Sequence, residues 1–390
     1  MRIERIQDIN DFKRLQRHWN ELLKQNDLNN PFLLFEWMNA WVESYTDDYS
    51  LYLLVGYSRD KLVAIAPLAL NHKKELVFMG YPFNDYASFI LIDKADDFFE
   101  AVFQYLFAHK QDWKKIILDQ IPENTRLLRY LNDPDTAVRY PVLIIPSDRC
   151  PEMRIDDPDK ARKKYNKKHL RTYINWFNAQ GELQNTIHDT VESTLTAMES
   201  LFQLHINRRE KTPFPSHFTE VKHRRFYRAF IRAMFPLGII RLSQLTLNGT
   251  TDLCMLLSFQ HEDSLFLYAT SFNDTYARRS PGQIAMKYIM EYALENNLKR
   301  IDFARGDENF KGRYTNYIKQ NYLATIYSEK FGKKIQALYY AFKFSSLATV
   351  LYRNKKVQSL KFTFLYYNRV SGMAVALKET FVSLFTKKQK

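Results

Sequence analysis

Apolar positions along this chain follow two periods, and they switch between them twice in the same order. Near the start, "DFKRLQRHWNELLKQ" and "FLLFEWMNAWVESY" carry apolar residues at helical spacing. Three strand-like runs follow: "SLYLLVGYS", "KLVAIAPLAL" and "ELVFMGYPFNDYASFILI". Next comes a helix, "DDFFEAVFQYLFAHKQD", with acids in the first turn, where the helix dipole favours them. A buried-type strand "KKIILDQI", a short helix "NTRLLRYL" and a strand "AVRYPVLII" close this part.

From Thr190 the pattern restarts. "TVESTLTAMESLFQLHINRRE" and "HFTEVKHRRFYRAFIRAMF" read as helices, and "GIIRLSQLTL", "DLCMLLSFQ" and "SLFLYATSF" as strands. The helix "GQIAMKYIMEYALENN", the strand "KRIDFARG", a short polar helix around "FKGRYTNYI" and the strand "YLATIYSE" complete it. Both parts therefore run two helices, three strands, helix, strand, helix, strand. "WKKIILDQIPEN" in the first even parallels "LKRIDFARGDEN" in the second. Shared element order with weak residue identity is what an old duplication leaves.

The expected organisation is an α/β chain with one unit over residues 1–150, a second over 151–330, and an extension over 331–390. A length of 390 residues suits two domains of middle size, and 46% hydrophobic residues are ample for their cores. The extension sets the charge. From Phe331 to Lys390 there are twelve Lys and Arg against one acid, Glu379, so most of the formal +14 lies there. Twelve aromatics are interleaved with those cations, at helical spacing. That pattern suits either an amphipathic helix on an anionic membrane surface or one packed on the body with its lysines in water. A second basic run, seven cations from Lys160 to Arg171, is either a solvated face or an anion-steering patch beside a cleft.

Two cysteines, Cys150 and Cys254, stand far apart and outside any metal-ligand spacing, which suits a reducing compartment. "MRIERIQDINDF" lacks the apolar core of a signal peptide, and no run reaches the length of a membrane span. A cytoplasmic protein is expected, with peripheral contact to the inner membrane face through the extension as an option. Phosphate-loop, dinucleotide, zinc-protease and nucleophile-elbow signatures are all missing, so no metal is expected.

One stretch carries candidate chemistry. After "SLFLYATSF" comes a loop, then "RRSPGQ" at the start of a helix. A helix N-terminus presents unpaired N–H groups and a partial positive charge. Arg278 and Arg279 add to it, Pro281 suits the first turn, and Gly282 admits a ligand close to the backbone.

The stretch looks like the pyrophosphate loop of the GNAT-type N-acetyltransferases, with Ile284 in place of the usual small final residue. Over about Phe35 to Tyr314 the chain resembles the duplicated acetyltransferase-like family named after the cellulose-biosynthesis protein CelD. The pieces that carry this are "EWMNAWVESY", "LVAIAPLAL", "FMGYPFNDYASF", "DWKKIILDQIPEN", "CPEMRI", "KKHLRTYINWFNAQGEL", "LHINRR", "RRSPGQ" and "IDFARGDENFK", in order. It departs at Phe310-Lys311, where Tyr-Lys is expected. More distantly it is similar to the Fem aminoacyltransferases, which share the twin fold.

The resemblance implies two tandem GNAT-like domains, of which the second is cofactor-competent, and acyl-CoA (acetyl-CoA or another) as co-substrate. It implies cofactor contacts at Arg278, Arg279, Ser280, Gly282 and Gln283, and acceptor contacts at Asp85, Tyr86, Arg305 and Asp307. Acyl transfer needs a base and donors for the developing oxyanion. Asp302 or Glu308 is the expected base, with Lys311 or Arg305 orienting an anionic acceptor. The acceptor class implied is an amine or hydroxyl of an envelope sugar, polysaccharide or lipid-linked intermediate. Two rivals stand beside this: a Fem-like transferase drawing on aminoacyl-tRNA, and a non-catalytic adaptor at the membrane surface.

Overall fold

The computed structural model describes residues 1–329 except 27, 93, 94, 211, 213, 214 and 307. The expected helical extension over 331–390 lies outside the described residues, as does Asp307. Among the described residues eleven strands form one mixed sheet. Its order is Leu183–Ile187, Ile240–Leu247, Thr251–His261, Ser264–Phe272, Arg300–Asp302, Val142–Arg154, Tyr317–Tyr327, Lys115–Pro122, Glu75–Phe78, Leu68–Asn71 and Tyr49–Leu51. A second sheet of four holds Arg2–Ile6, Leu53–Ser58, Lys61–Ala66 and Ile90–Leu91.

The repeat expected from the pattern is visible as a repeated pairing. In the first half Glu75–Phe78 runs parallel to Lys115–Pro122, with helix Asp97–Ala108 as the crossover. In the second, Ser264–Phe272 runs parallel to Arg300–Asp302, with helix Pro281–Glu295 between them. Parallel neighbours need such a crossover because no tight turn can join them. Lys115 opposite Glu75 and Arg300 opposite Ser264 hold equivalent registers, which is the match of "WKKII" with "LKRID".

The last strand of each half has changed sides. Val142–Arg154 leaves its own half and places Glu152, Met153 and Arg154 beside Asp302, Ile301 and Arg300. Tyr317–Tyr327 returns the exchange by pairing with Lys115–Pro122. The two exchanged strands also pair with each other, from Glu152 opposite Tyr317 to Val142 opposite Ile326. Each half thus covers the sheet edge the other would leave bare. The boundary expected between residues 150 and 151 falls inside this shared strand.

Several local expectations changed. "ELVFMGYPFNDYASFILI" reads as one run, but only Glu75–Phe78 and Ile90–Leu91 are strand, and the first helical run breaks at Leu15. "SLYLLVGYS" and "KLVAIAPLAL" read as one strand each, but they break at Tyr52 and Pro67 and serve both sheets. Pro67 has no N–H for a ladder, so a break there loses nothing. Tyr52 N–H still reaches Leu68 O at 3.1 Å across the gap. "AVRYPVLII" reads as a strand, yet its first three residues finish helix Pro134–Arg139 and the strand starts at Val142. Asp133 caps that helix by accepting from Thr136 N–H at 3.0 Å, and Pro134 occupies its first turn. Cap and proline together outweigh the β-branched pattern.

Among the described residues, the largest of four apolar clusters draws on both halves. Helix Phe35–Tyr45 packs on helix Val221–Met234, with Trp37 4.9 Å from both Phe226 and Phe230 between ring centres. Phe32 meets Phe259 and Phe266 across the same seam. The indole N–H of Trp37 donates to Asn84 Oδ1 at 2.7 Å, so the seam also fixes the loop carrying Asp85 and Tyr86.

Candidate active site

The site begins where two strands part. Ser264–Phe272 and Arg300–Asp302 pair over only three positions, the last being Phe266 with Asp302. Past Asp302 the chain keeps its bonds to the other neighbour, Phe303 N–H to Pro151 O (3.0 Å) and Gly306 N–H to Arg149 O (2.9 Å). Ala304 and Gly306, at φ 56° and 104°, turn it away from Ser264–Phe272. A wedge therefore opens between the two strands.

Helix Pro281–Glu295 starts beyond Phe272, at one end of that wedge. Pro281 occupies its first turn, and no side chain caps it. Ser280 sits in the left-handed region (φ 48°, ψ 54°), a conformation that is uncommon outside glycine and concentrates at functional sites. A Cβ built on Gly282 would touch only Phe272, at 3.7 Å, so the space above the terminus is open. Arg278 is exposed; Arg279 lies 4.5 Å over the Trp176 ring. Gln283 Oε1 is 3.3 Å from His169 Nε2. Arg208 adds a third guanidinium, 4.4 Å over Phe272. Ile284 does not narrow this mouth: it is fully buried on the core side with Leu170, Phe177 and Leu253.

The acceptor residues named from sequence form a different cluster, drawn from both halves. Arg305 Nε pairs with Asp85 at 2.9 Å, and its Nη2 donates to Pro82 O at 2.7 Å. Tyr86 hydroxyl lies 2.8 Å from both carboxylate oxygens of Asp302. Burial pushes the Asp85 carboxyl up, to about 7, against the pull of Arg305 and Lys311.

Asp302 is not placed as a base that meets substrate. It is 1% exposed and accepts from Tyr86, from Ala304 N–H at 2.8 Å and from Lys319 Nζ. Buried and held by three donors, it anchors the wedge instead. Lys311 has a similar fate, donating to Arg305 O (2.7 Å), Gly306 O (3.3 Å) and Glu308 (2.9 Å), so its three N–H groups hold the turn together. Glu308 is exposed and tied to Lys311.

Lys319 is a residue that sequence reasoning missed. It bridges Asp302 and Glu152, the latter at 3.0 Å. Burial works against its charge, but the two carboxylates outweigh that and hold its pKa above the ordinary value. Glu152 is 2% exposed and also binds Arg154 at 2.9 Å. Its segment "CPEMRI" was a family piece, yet nothing local marked the glutamate. Cys150 is buried and its thiol is pushed up by that burial, so it is inert as a nucleophile.

Residues 164–312 match the family model for the acetyltransferase (GNAT) domain. The fold is the GNAT acetyltransferase fold, present twice. The matched stretch holds the wedge and the helix mouth, and both exchanged strands lie outside it. Among solved structures, FemX is similar at 11% identity, covering 83% of this chain and 97% of that one with a TM-score of 0.53. A structure of L-PGS from Bacillus licheniformis aligns at 11% identity over 85% of this chain and 94% of that one, TM-score 0.51. A C-terminal domain of a putative lysylphosphatidylglycerol synthetase from Agrobacterium fabrum aligns at 10% identity, 86% and 98%, TM-score 0.50. Likeness at such identity speaks for fold alone. A search of curated proteins gives no match.

Among the described residues no group of His, Cys, Asp and Glu is arranged to hold a metal ion. No described helix is long and apolar enough to cross a membrane.

Proposed function

We propose that the chain transfers an acyl group, acetyl by preference, from acyl-CoA to an amine or hydroxyl of a cell-envelope sugar, polysaccharide or lipid-linked intermediate. The observation that carries this reading is the uncapped start of Pro281–Glu295 at the open end of the wedge, ringed by Arg208, Arg278 and Arg279. Unpaired N–H groups, a helix dipole and guanidinium groups together suit a diphosphate. The wedge beside them gives room for an extended arm leading to a thioester. Arg278, Arg279, Ser280, Gly282 and Gln283 are the cofactor contacts in this reading. Asp85, Tyr86, Arg305 and Asp307 stay on the acceptor side. Asp302, Tyr86 and Lys319 position the wedge walls.

Calorimetry with acetyl-CoA and longer acyl-CoAs tests the reading. Micromolar to low-millimolar binding is expected, and an absence of heat at millimolar ligand would sink it. Peripheral association with anionic membrane through residues 331–390 belongs to the same reading. Flotation with anionic vesicles should be lost in a chain ending near Glu329, and equal flotation of both forms would dismiss it.

A second reading is a Fem-like transferase using aminoacyl-tRNA. It is favoured by one observation: Lys160, Arg162 and Lys163 on helix Pro158–Tyr165, Lys168 and Arg171 on helix Lys168–Gln180, and Lys167 just before the latter are all exposed, on the way to Trp176 and the helix mouth. Binding of tRNA that falls steeply with salt, and a larger loss in Lys168→Ala than in Arg279→Ala, would favour it. The adaptor alternative is weakened by Ile284, whose side chain lies away from the mouth.

A further inference from the structure

Helix Lys168–Gln180 lies along the outer side of the helix mouth. Its Leu170 and Phe177 face inward, buried in one cluster with Ile284 and Leu253. His169, Tyr173 and Trp176 recur at helical steps, so they share a different face. Two of them meet the mouth directly. His169 Nε2 is 3.3 Å from Gln283 Oε1, in the first turn of Pro281–Glu295, and Arg279 stands 4.5 Å over the Trp176 ring. Helical spacing puts Lys168 and Thr172 at the border of this face, on the side away from Leu170 and Phe177, and both are exposed.

Two properties set this patch apart. Its charge is not neutralised: among the described residues Lys168, Arg278 and Arg279 enter no ion pair, whereas Arg162 on the preceding helix pairs with Asp159 at 2.9 Å. It also holds the one tryptophan of five that is not in a core. Trp19, Trp37, Trp41 and Trp113 are buried, and Trp176 is half-exposed. An indole behind a guanidinium holds it by cation–π attraction. Such a pair is a platform on which a planar base can stack.

We propose that this patch is the subsite for the adenosine 3′-phosphate end of coenzyme A, the base stacking on the Arg279–Trp176 pair and Lys168 binding the 3′-phosphate. The inference rests on the acyl-CoA reading and adds what selects among donors of that class. With the diphosphate on the uncapped turn and the acyl arm in the wedge, the nucleoside leaves on the outer side. The surface there is the face of helix Lys168–Gln180. Leu170 and Phe177 fix that helix to the core, and the His169–Gln283 contact ties its start to the mouth. The platform is therefore built before the ligand arrives, which lowers the ordering cost of binding.

Calorimetry on the full-length chain compares coenzyme A, dephospho-coenzyme A and adenosine 3′,5′-bisphosphate. Coenzyme A should bind about tenfold tighter than the dephospho form. The bisphosphate should bind alone and compete with coenzyme A. Lys168→Gln, a surface change, should bring the two coenzymes to within about twofold of each other. Trp176→Leu should weaken coenzyme A and the bisphosphate alike, by about fivefold or more, the worth of one stacked base. The bisphosphate should also change the tryptophan emission of the wild type, and Trp176→Phe should abolish that change. Equal affinity for the two coenzymes, or an unaltered preference in Lys168→Gln, overturns the phosphate contact. Undiminished coenzyme A affinity in Trp176→Leu, or an unchanged emission, overturns the platform. In each of those cases the wild type still binds coenzyme A, so the acyl-CoA reading stands. No binding of any of the three ligands overturns both, and tRNA bound in their place would hand the patch to the aminoacyl-tRNA reading.

Discussion

The two halves share a plan and differ at one helix start. In the first, helix Asp97–Ala108 opens behind Asp96 with Asp97 and Glu100 in its first turn, and Arg126 pairs with Asp96 at 3.5 Å. In the second, the equivalent helix opens behind Arg278, Arg279 and a left-handed Ser280, with no side chain across its N-terminus. Acids at a helix N-terminus neutralise the dipole from within and repel a phosphate. Arginines leave the dipole unanswered and add to it. Neither helix start has a side chain hydrogen-bonded across it, so the difference between the copies lies in the charge in front of the helix. The loop carrying Asp85 and Tyr86 shows where the first copy went instead: it supplies a wall of the second copy's site, tied there by Arg305 and Asp302.

If the halves are one cooperative body, damage at their seam unfolds both. Trp37→Ala should cost about 3–5 kcal/mol by emptying the shared core and orphaning Asn84. Urea unfolding should show a single transition at lower denaturant, and two separate transitions would mean that the halves fold independently. Asp302→Asn strands Lys319 with one carboxylate instead of two. Breaking a buried ionic cluster of this kind costs about 3 kcal/mol, and the same unfolding measurement reads it.

The second half should also be the acid-sensitive one. Burial, then Arg209 and Arg208, depress His205 to about 4, and burial likewise holds His217 and His223 below the ordinary histidine value. Between about pH 6.5 and pH 4 the unfolded chain therefore binds more protons than the folded one. The stability these residues contribute is present above pH 6.5 and is lost as pH falls through that window. Thermal unfolding from pH 8 to pH 4.5 should show a midpoint that drops below pH 6.5. His205→Asn should reduce the drop, and a flat profile would argue against neutral, buried imidazoles.

Smaller effects sharpen the contrast at the helix starts. Arg279→Ala should weaken acetyl-CoA binding by about 1–2 kcal/mol, measured by calorimetry. Asp97→Ala, at the equivalent turn of the first half, should leave that affinity unchanged and cost no more than about 0.5 kcal/mol of stability. Equal losses in both variants would abolish the distinction between the copies.

Much of this was legible in the sequence. The order of elements, the duplication and the position of "RRSPGQ" at a helix start follow from local period and cap chemistry, which act over a few residues. Asp85, Tyr86, Asp302 and Arg305 were named together because they resemble family positions, and the fold does bring them within hydrogen-bonding distance of one another in pairs. Their chemistry was not legible. Asp302 reads as a free acid in "RIDFARG", and only Tyr86, from 216 positions away, and Lys319 show that it is buried in a hydrogen-bonded ion pair. His217 carries no local motif, and only the fold places its ring beside Phe83, Phe218 and Tyr227.

The sequence by itself determined most of the helices and strands and their repeated order, and that of the two crossover helices only the second has arginines before its start. Periodicity, caps and dipoles are short-range, so a linear reading captures them. The tertiary structure decided that the two copies exchange their last strands, that Ile284 turns into the core, and that a buried lysine silences the expected base. Those outcomes depend on which strand lies beside which, and on burial, and neither is written in the spacing of neighbouring residues.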